Sequence, residues 1–87
     1  MKASEKYLNP TDPNHSIEWG EATWNSKAFS IRNRYDLPSG KFNKAGSGEI
    51  PWHDFKTMIT ESIQRDVFTN SELAEILKTI SEKIAKI

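Results

Sequence analysis

The residues of this chain best suited to binding chemistry are two arginines in one short segment, Arg32 and Arg34. Residues two apart on a β-strand project to the same side, about 7 Å from each other. Guanidinium groups at that spacing suit a line of phosphates, so the segment predicts a surface for a nucleic-acid backbone. The alternative is an ordinary solvated strand face that pairs with Glu18 and Glu21 across a hairpin.

The segment around these arginines is the one basic part of the chain. Residues 27–44 carry a net charge of +4, whereas residues 1–26 and 45–87 each carry −2, so the whole chain is neutral. Neutrality argues against a strongly basic protein that coats DNA without specificity. The other cations of the segment are Lys27, Lys41 and Lys44, and the aromatic residues on which unpaired bases can stack are Trp24, Tyr35 and Phe42.

A second candidate surface lies near the end of the sequence. Apolar residues recur there at intervals of three and four, which is the pattern of a helix–helix seam. Such a stripe either packs inside the protein or pairs it with a protein partner, including a second copy in a homodimer. The residues expected at the interface are Leu73, Ile76, Ile80 and Ile84. If they form an interface, charged substitutions at Ile76 and Ile80 should abolish association.

Catalytic and metal-binding constellations are not evident in the sequence. The two histidines, His15 and His53, have no carboxylate or second histidine at ligand spacing. His53 and Asp54 are neighbours on a predicted helix and point in different directions, so a nucleophile, a base and an orienting group cannot be assembled. The absence of cysteine removes thiolate metal sites and fits a reducing, cytoplasmic setting. We therefore expect a protein that is not an enzyme and that uses no metal or other cofactor.

The two arginines belong to a segment that is typical of a β-hairpin. β-Branched and aromatic residues are frequent through residues 16–36, and Asn25-Ser26 is the expected turn. In the second strand, a period of two places the arginines on one face and Phe29 and Ile31 on the other. One face is then core and the other is solvated.

The remaining elements predict an α+β fold with a small antiparallel sheet of three or four short strands. A helix at about 52–65, with apolar residues at spacings of three and four, should cover that sheet. Thr69, with Glu72 three residues later, forms a capping box. It starts a second amphipathic helix, expected at about 70–86.

Residues 1–15 are predicted to be a flexible leader, because two prolines punctuate them and no periodic apolar pattern occurs before Ile17. Residues 16–87 then form a single α+β domain. Its core should be thin, because a chain of this size buries only about 60 to 65% of the surface that it exposes when unfolded. No apolar run suits a signal peptide or a membrane span, so no membrane association is expected.

Four short motifs occur in an order that resembles a known family. They are FSIRNRY at 29–35, SGKF at 39–42, EI at 49–50 and WHDF at 52–55. Over about residues 19–66 the chain resembles the positive-cofactor-four type transcriptional coactivators. The resemblance implies a dimer that binds single-stranded DNA on curved sheets and regulates transcription. It also implies that Arg32, Arg34 and Lys41 contact the DNA backbone and that Tyr35 stacks on a base.

The sequence leaves two functions open. The first is a non-catalytic module that binds single-stranded DNA or RNA through the basic strand face. The second is a small protein-interaction or regulatory module that uses the C-terminal amphipathic helix and needs no phosphate contacts. The family has Lys-Gly-Ile where this chain has Gly48-Glu49-Ile50. An acid in place of a cation lowers the DNA affinity expected of the first function.

Overall fold

Four β-strands followed by two α-helices make up the protein in a computed structural model that describes all 87 residues. The strands are β1 (Lys2–Leu8), β2 (His15–Ala22), β3 (Asn25–Tyr35) and β4 (Gly48–Pro51), and the helices are α1 (Trp52–Gln64) and α2 (Asn70–Ile84). The strands form one antiparallel sheet in the order β1-β2-β3-β4. This arrangement confirms the predicted α+β fold class.

The N-terminal segment differs most from its prediction. Residues 1–15, expected to be a flexible leader, contain β1, an edge strand that pairs with β2 along its length. Most side chains of β1 are exposed, which is why no apolar alternation reveals it. A Cβ atom added at Gly20 would collide with the backbone of Lys2 and Ala3. Only glycine therefore permits this close approach of the two strands.

β2 and β3 form the predicted hairpin, but its turn lies at Thr23-Trp24 and not at Asn25-Ser26. Asn25 already pairs with Ala22 across the hairpin, so it belongs to β3. The connection is thus one of the two-residue loops that join antiparallel strands most tightly. On its other side, β3 pairs with β4 and completes the sheet.

The chain divides into two compact units, Met1–Phe55 and Lys56–Ile87, where we expected one domain over 16–87. The first unit holds the sheet and the first turn of α1. There, Trp52 stacks on Phe55 with 5.3 Å between ring centroids and meets the ring of Phe29 edge-on at 5.4 Å. The second unit holds the rest of α1 and all of α2.

The second helix begins where its local chemistry predicts. Thr69 Oγ1 accepts a hydrogen bond from the backbone N–H of Glu72, and the Glu72 carboxylate accepts one from the N–H of Thr69. This capping box satisfies two N–H groups that a helix start leaves without partners.

No residue of α1 or α2 is buried. Neither helix combines the length and the apolar character that crossing a bilayer requires.

Few apolar side chains are buried anywhere in the chain. Ala22 and Ile31 are the buried hydrophobic residues, and they are joined by the polar residues Glu18, Ser30 and Ser47. Buried polar groups are stable only when they are hydrogen-bonded, and every buried side-chain nitrogen and oxygen here has a partner. The sheet unit therefore depends on polar contacts as well as on apolar packing.

Candidate functional site

Arg32 and Arg34 project from the same face of β3, but both are bound to carboxylates of their own chain. Glu18 stands opposite Arg32 in register, and its Oε1 accepts hydrogen bonds from Arg32 Nε at 2.9 Å and Nη2 at 2.6 Å. Arg34 Nε donates to Asp36 Oδ1 at 2.9 Å, while its Nη1 lies 3.5 Å from Glu18 Oε1. The arginine side chains are only 12% and 24% exposed. Little of either guanidinium group is left for a phosphate.

Glu18 is the centre of this charge network and is 2% exposed. Lys6 of β1 supplies a third cation, 3.4 Å from its Oε2. Burial raises the pKa of Glu18, but the hydrogen bond from Arg32 and the charges of Arg32 and Arg34 outweigh it, so the pKa lies below its ordinary value. The hydrogen bond to Asp36 raises the pKa of Arg34. The network thus stays ionised at neutral pH and ties β1, β2 and β3 together.

Phe42 covers the same network. Its ring centroid lies 4.7 Å from Arg32 Cζ and 4.6 Å from Arg34 Cζ, which are cation–π distances. A single β-bridge between Asp36 and Phe42 sets the position of the Phe42 backbone beside the end of β3. The aromatic side chain that the sequence offers for stacking on a base is therefore engaged with the two arginines.

Glu49, the acid at which the chain departs from the coactivator pattern, also has partners within its own unit. Its Oε1 accepts hydrogen bonds from the Thr23 N–H and from Ser30 Oγ, both at 2.8 Å, and its Oε2 accepts one from Thr23 Oγ1 at 2.7 Å. Burial raises the pKa of Glu49, but these hydrogen bonds outweigh it and leave the pKa below its ordinary value. This carboxylate joins β4 to the β2–β3 turn.

The three lysines predicted to contact nucleic acid are all exposed. They are Lys27, Lys41 and Lys44. Lys44 lines the same depression as Arg32 and Phe42. Lys27 lines a different one beside β1, next to Lys2.

The other two predicted stacking residues, Trp24 and Tyr35, are about half exposed. Tyr35 stacks on His15 with 4.5 Å between ring centroids. The imidazole is fixed in turn, because its Nε2 lies 2.6 Å from Asn33 Oδ1 and its Nδ1 lies 2.9 Å from Asn9 Nδ2. The Tyr35 ring is thus held in one orientation at the surface of the sheet.

The apolar residues of α2 form the second predicted site. We call them the α2 stripe: Leu73, Ile76, Leu77, Ile80 and Ile84. Leu77 is 64% exposed, Ile80 49% and Ile84 62%, while Leu73 and Ile76 are partly exposed. The predicted interface set omits Leu77. The alternating intervals of four and three through Leu73, Leu77, Ile80 and Ile84 are the signal that identifies it.

Comparisons with protein-family models, with curated proteins and with solved structures found no match to this chain. No group of three His, Cys, Asp or Glu side chains is arranged to hold a metal ion. The candidate surfaces are therefore defined by the contacts of the chain itself: a charge network whose members are paired with one another, and an apolar stripe that is exposed.

Proposed function

We propose that this chain is a non-catalytic protein-interaction module and that the α2 stripe is its binding surface. The observation that carries the proposal is the exposure of Leu77, Ile80 and Ile84, which range from 49% to 64%. Single exposed apolar residues are normal on protein surfaces, but contiguous ones mark interaction sites. These residues are contiguous because their spacing puts them on one side of a helix.

The opposite side of α2 is charged and exposed to solvent. Glu75, Lys78 and Glu82 are exposed there, so the helix has one charged face and one apolar face. Amphipathic helices of this kind bind by laying the apolar face into a groove or against another helix. Covering the exposed part of each stripe residue contributes about 1 kcal/mol, roughly half the value for burying a whole Leu or Ile side chain.

The sheet unit supports the proposal by contrast. A phosphate approaching Arg32 or Arg34 has to compete with Glu18 and Asp36, which are already within hydrogen-bond distance. A protein surface approaching the α2 stripe displaces only water. The stripe is therefore the surface from which binding gains more free energy.

Substitutions within α2 test this function. We expect the double variant Leu77→Glu/Ile80→Glu to lose every protein complex that the wild type forms and, at a concentration at which the wild type is also monomeric, to melt at the wild-type temperature. Ser71→Glu, which places one such charge on the opposite face of the helix, should keep both properties. The measurements are thermal unfolding by circular dichroism and sedimentation velocity. Unfolding of the double variant would show that the stripe is core and would overturn the proposal.

A second candidate is binding of single-stranded nucleic acid by the sheet unit. It is favoured by the exposure of three lysines in the +4 segment and by the half-exposed rings of Trp24 and Tyr35. The sequence resemblance to the positive-cofactor-four type coactivators supports the same candidate. The phosphate contacts of this candidate would come from the lysines, because Arg32 and Arg34 are paired with carboxylates.

The test of this candidate is a tryptophan-fluorescence titration with single-stranded DNA and RNA at two salt concentrations. Changing Lys27, Lys41 and Lys44 to Gln should reduce the slope of log affinity against log salt by about 0.7 for each phosphate that these lysines neutralise. An unchanged slope would exclude these lysines as contacts. Ser71→Glu serves as the control, because it lies outside the sheet unit.

A further inference from the structure

The spacing of the α2 stripe specifies the shape of its partner. Four residues of the stripe, Leu73, Leu77, Ile80 and Ile84, follow one another at intervals of four, three and four, and Ile87 continues the spacing just beyond the helix. These are the a and d positions of a heptad, which favour packing against another helix with the same repeat over packing into an irregular groove. An identical helix offers that repeat.

We infer that α2 pairs with α2 of a second copy of this chain, and that the two helices run antiparallel. The inference rests on the proposed function, because it names the partner of the same surface. In an antiparallel pair centred between residues 78 and 79, Leu73 lies opposite Ile84 of the other copy, and Leu77 lies opposite Ile80. Each a residue then meets a d residue, and the interface is symmetric, as it is in most homodimers.

The charges of α2 select the antiparallel orientation. Residues 70–77 contain Glu72 and Glu75 and no cation, whereas residues 78–84 contain Lys78 and Lys83 against Glu82. The two halves of α2 thus carry −2 and +1, and Lys86 adds a further cation just beyond the helix. An antiparallel pair places the acidic half of each copy beside the basic half of the other and opposes the two helix dipoles. A parallel pair would place like charges side by side.

One charged pair lies beside the seam itself. At 100° per residue, Glu72 and Lys83 flank the stripe on the same side of the helix. The antiparallel register brings Lys83 of one copy to within about 3 Å, along the helix axis, of the level of Glu72 in the other. Symmetry provides this pair twice. In a parallel pair, the flank that carries Glu72 and Lys83 would face the opposite flank of the partner helix, so this charged pair would not form.

Sedimentation equilibrium over a range of protein concentrations tests whether the chain pairs with itself. We expect a monomer–dimer equilibrium that Leu77→Glu weakens at least about 100-fold, because the variant brings an unpaired carboxylate into the seam. Ser71→Glu, on the outer face, should leave the dimer at its wild-type affinity. A wild-type chain that stays monomeric at every concentration would overturn the inference.

Cysteine pairs test the orientation, since the chain has no cysteine of its own. An equimolar mixture of Leu73→Cys and Ile84→Cys should form a disulfide-linked dimer. Each variant alone should not, because in the antiparallel register the two copies of either residue are about 16 Å apart along the axis. If each variant cross-links with itself and the mixture adds nothing, the helices are parallel and the inference is wrong.

Failure of this inference can be told apart from failure of the proposed function. Suppose that the wild type is monomeric and that the Leu77→Glu/Ile80→Glu variant melts at the wild-type temperature. These results would reject self-pairing but not the proposed function, and the partner of the stripe would then be a different protein. A double variant that unfolds overturns both, because the stripe is then part of the core.

Discussion

The two units of this protein differ in whether their prominent side chains have partners within the chain. In Met1–Phe55, the charged side chains of one sheet face are bound to each other around Glu18. In Lys56–Ile87, the apolar side chains of α2 are exposed. Arg32 has to give up Glu18 before it can bind a phosphate, whereas Ile80 gives up only water. This difference is the reason why the exposed apolar groups of α2, and not the paired charges of the sheet, are proposed as the binding surface.

The largest effect on stability is expected where the sheet unit binds its charges together. Glu18→Gln leaves three cations without their shared anion and should destabilise the sheet unit by about 3 kcal/mol, at the lower end of the range for a broken buried ion pair. Urea unfolding measures it, with Glu5→Gln on exposed β1 as the control. Self-association through α2 should not change. A destabilisation as small as that of the control would mean that the network does not stabilise the sheet.

Acid should weaken the sheet unit through the same carboxylates. The pKa values of Glu18 and Glu49 lie below their ordinary value of 4.5. Their contribution to stability is therefore complete above that pH and is lost as the pH falls through the lower, folded-state values. Urea midpoints measured from pH 6 downward should decline below about 4.5. The decline should be shallower in Glu18→Gln, and an equally steep decline would contradict the role of Glu18.

A smaller effect is expected at the ring that covers the arginines. Phe42→Leu keeps an apolar side chain but removes the cation–π contacts and should cost about 1 kcal/mol. A double-mutant cycle with Arg34→Gln, which removes the cation, isolates the contact, because the two destabilisations should not add if the ring and the guanidinium group interact. Additive destabilisations would mean that Phe42 stabilises the sheet only by apolar packing.

The sequence predicts best those features that local chemistry decides. The capping box of Thr69 and Glu72 gives the first residue of α2 correctly, because it needs only contacts three residues apart. The period of two places Arg32 and Arg34 on one face. It also explains why Glu18 pairs with them while Glu21, an odd number of residues further along β2, faces the other side and lies opposite Phe29.

Features that depend on contacts distant in sequence could not be predicted in this way. β1 has no apolar alternation, and its place is set by the close approach of Gly20 to Lys2. Phe42 lies in the connection between β3 and β4 and contacts both arginines. The residues next to it in the sequence contain no pattern that predicts this contact. In the sequence, Glu49 stands where the family pattern has a cation. In the structure, its carboxylate accepts the hydrogen bonds that join β4 to Thr23.

The central claim is that the α2 stripe is a binding surface and not part of the core. Amide hydrogen exchange at two protein concentrations tests it most directly. We expect the amides of α2 to exchange faster than those of β2 and β3 in dilute solution, and to slow at high concentration while the sheet is unchanged. Exchange in α2 that is as slow as in the sheet at both concentrations would contradict the claim.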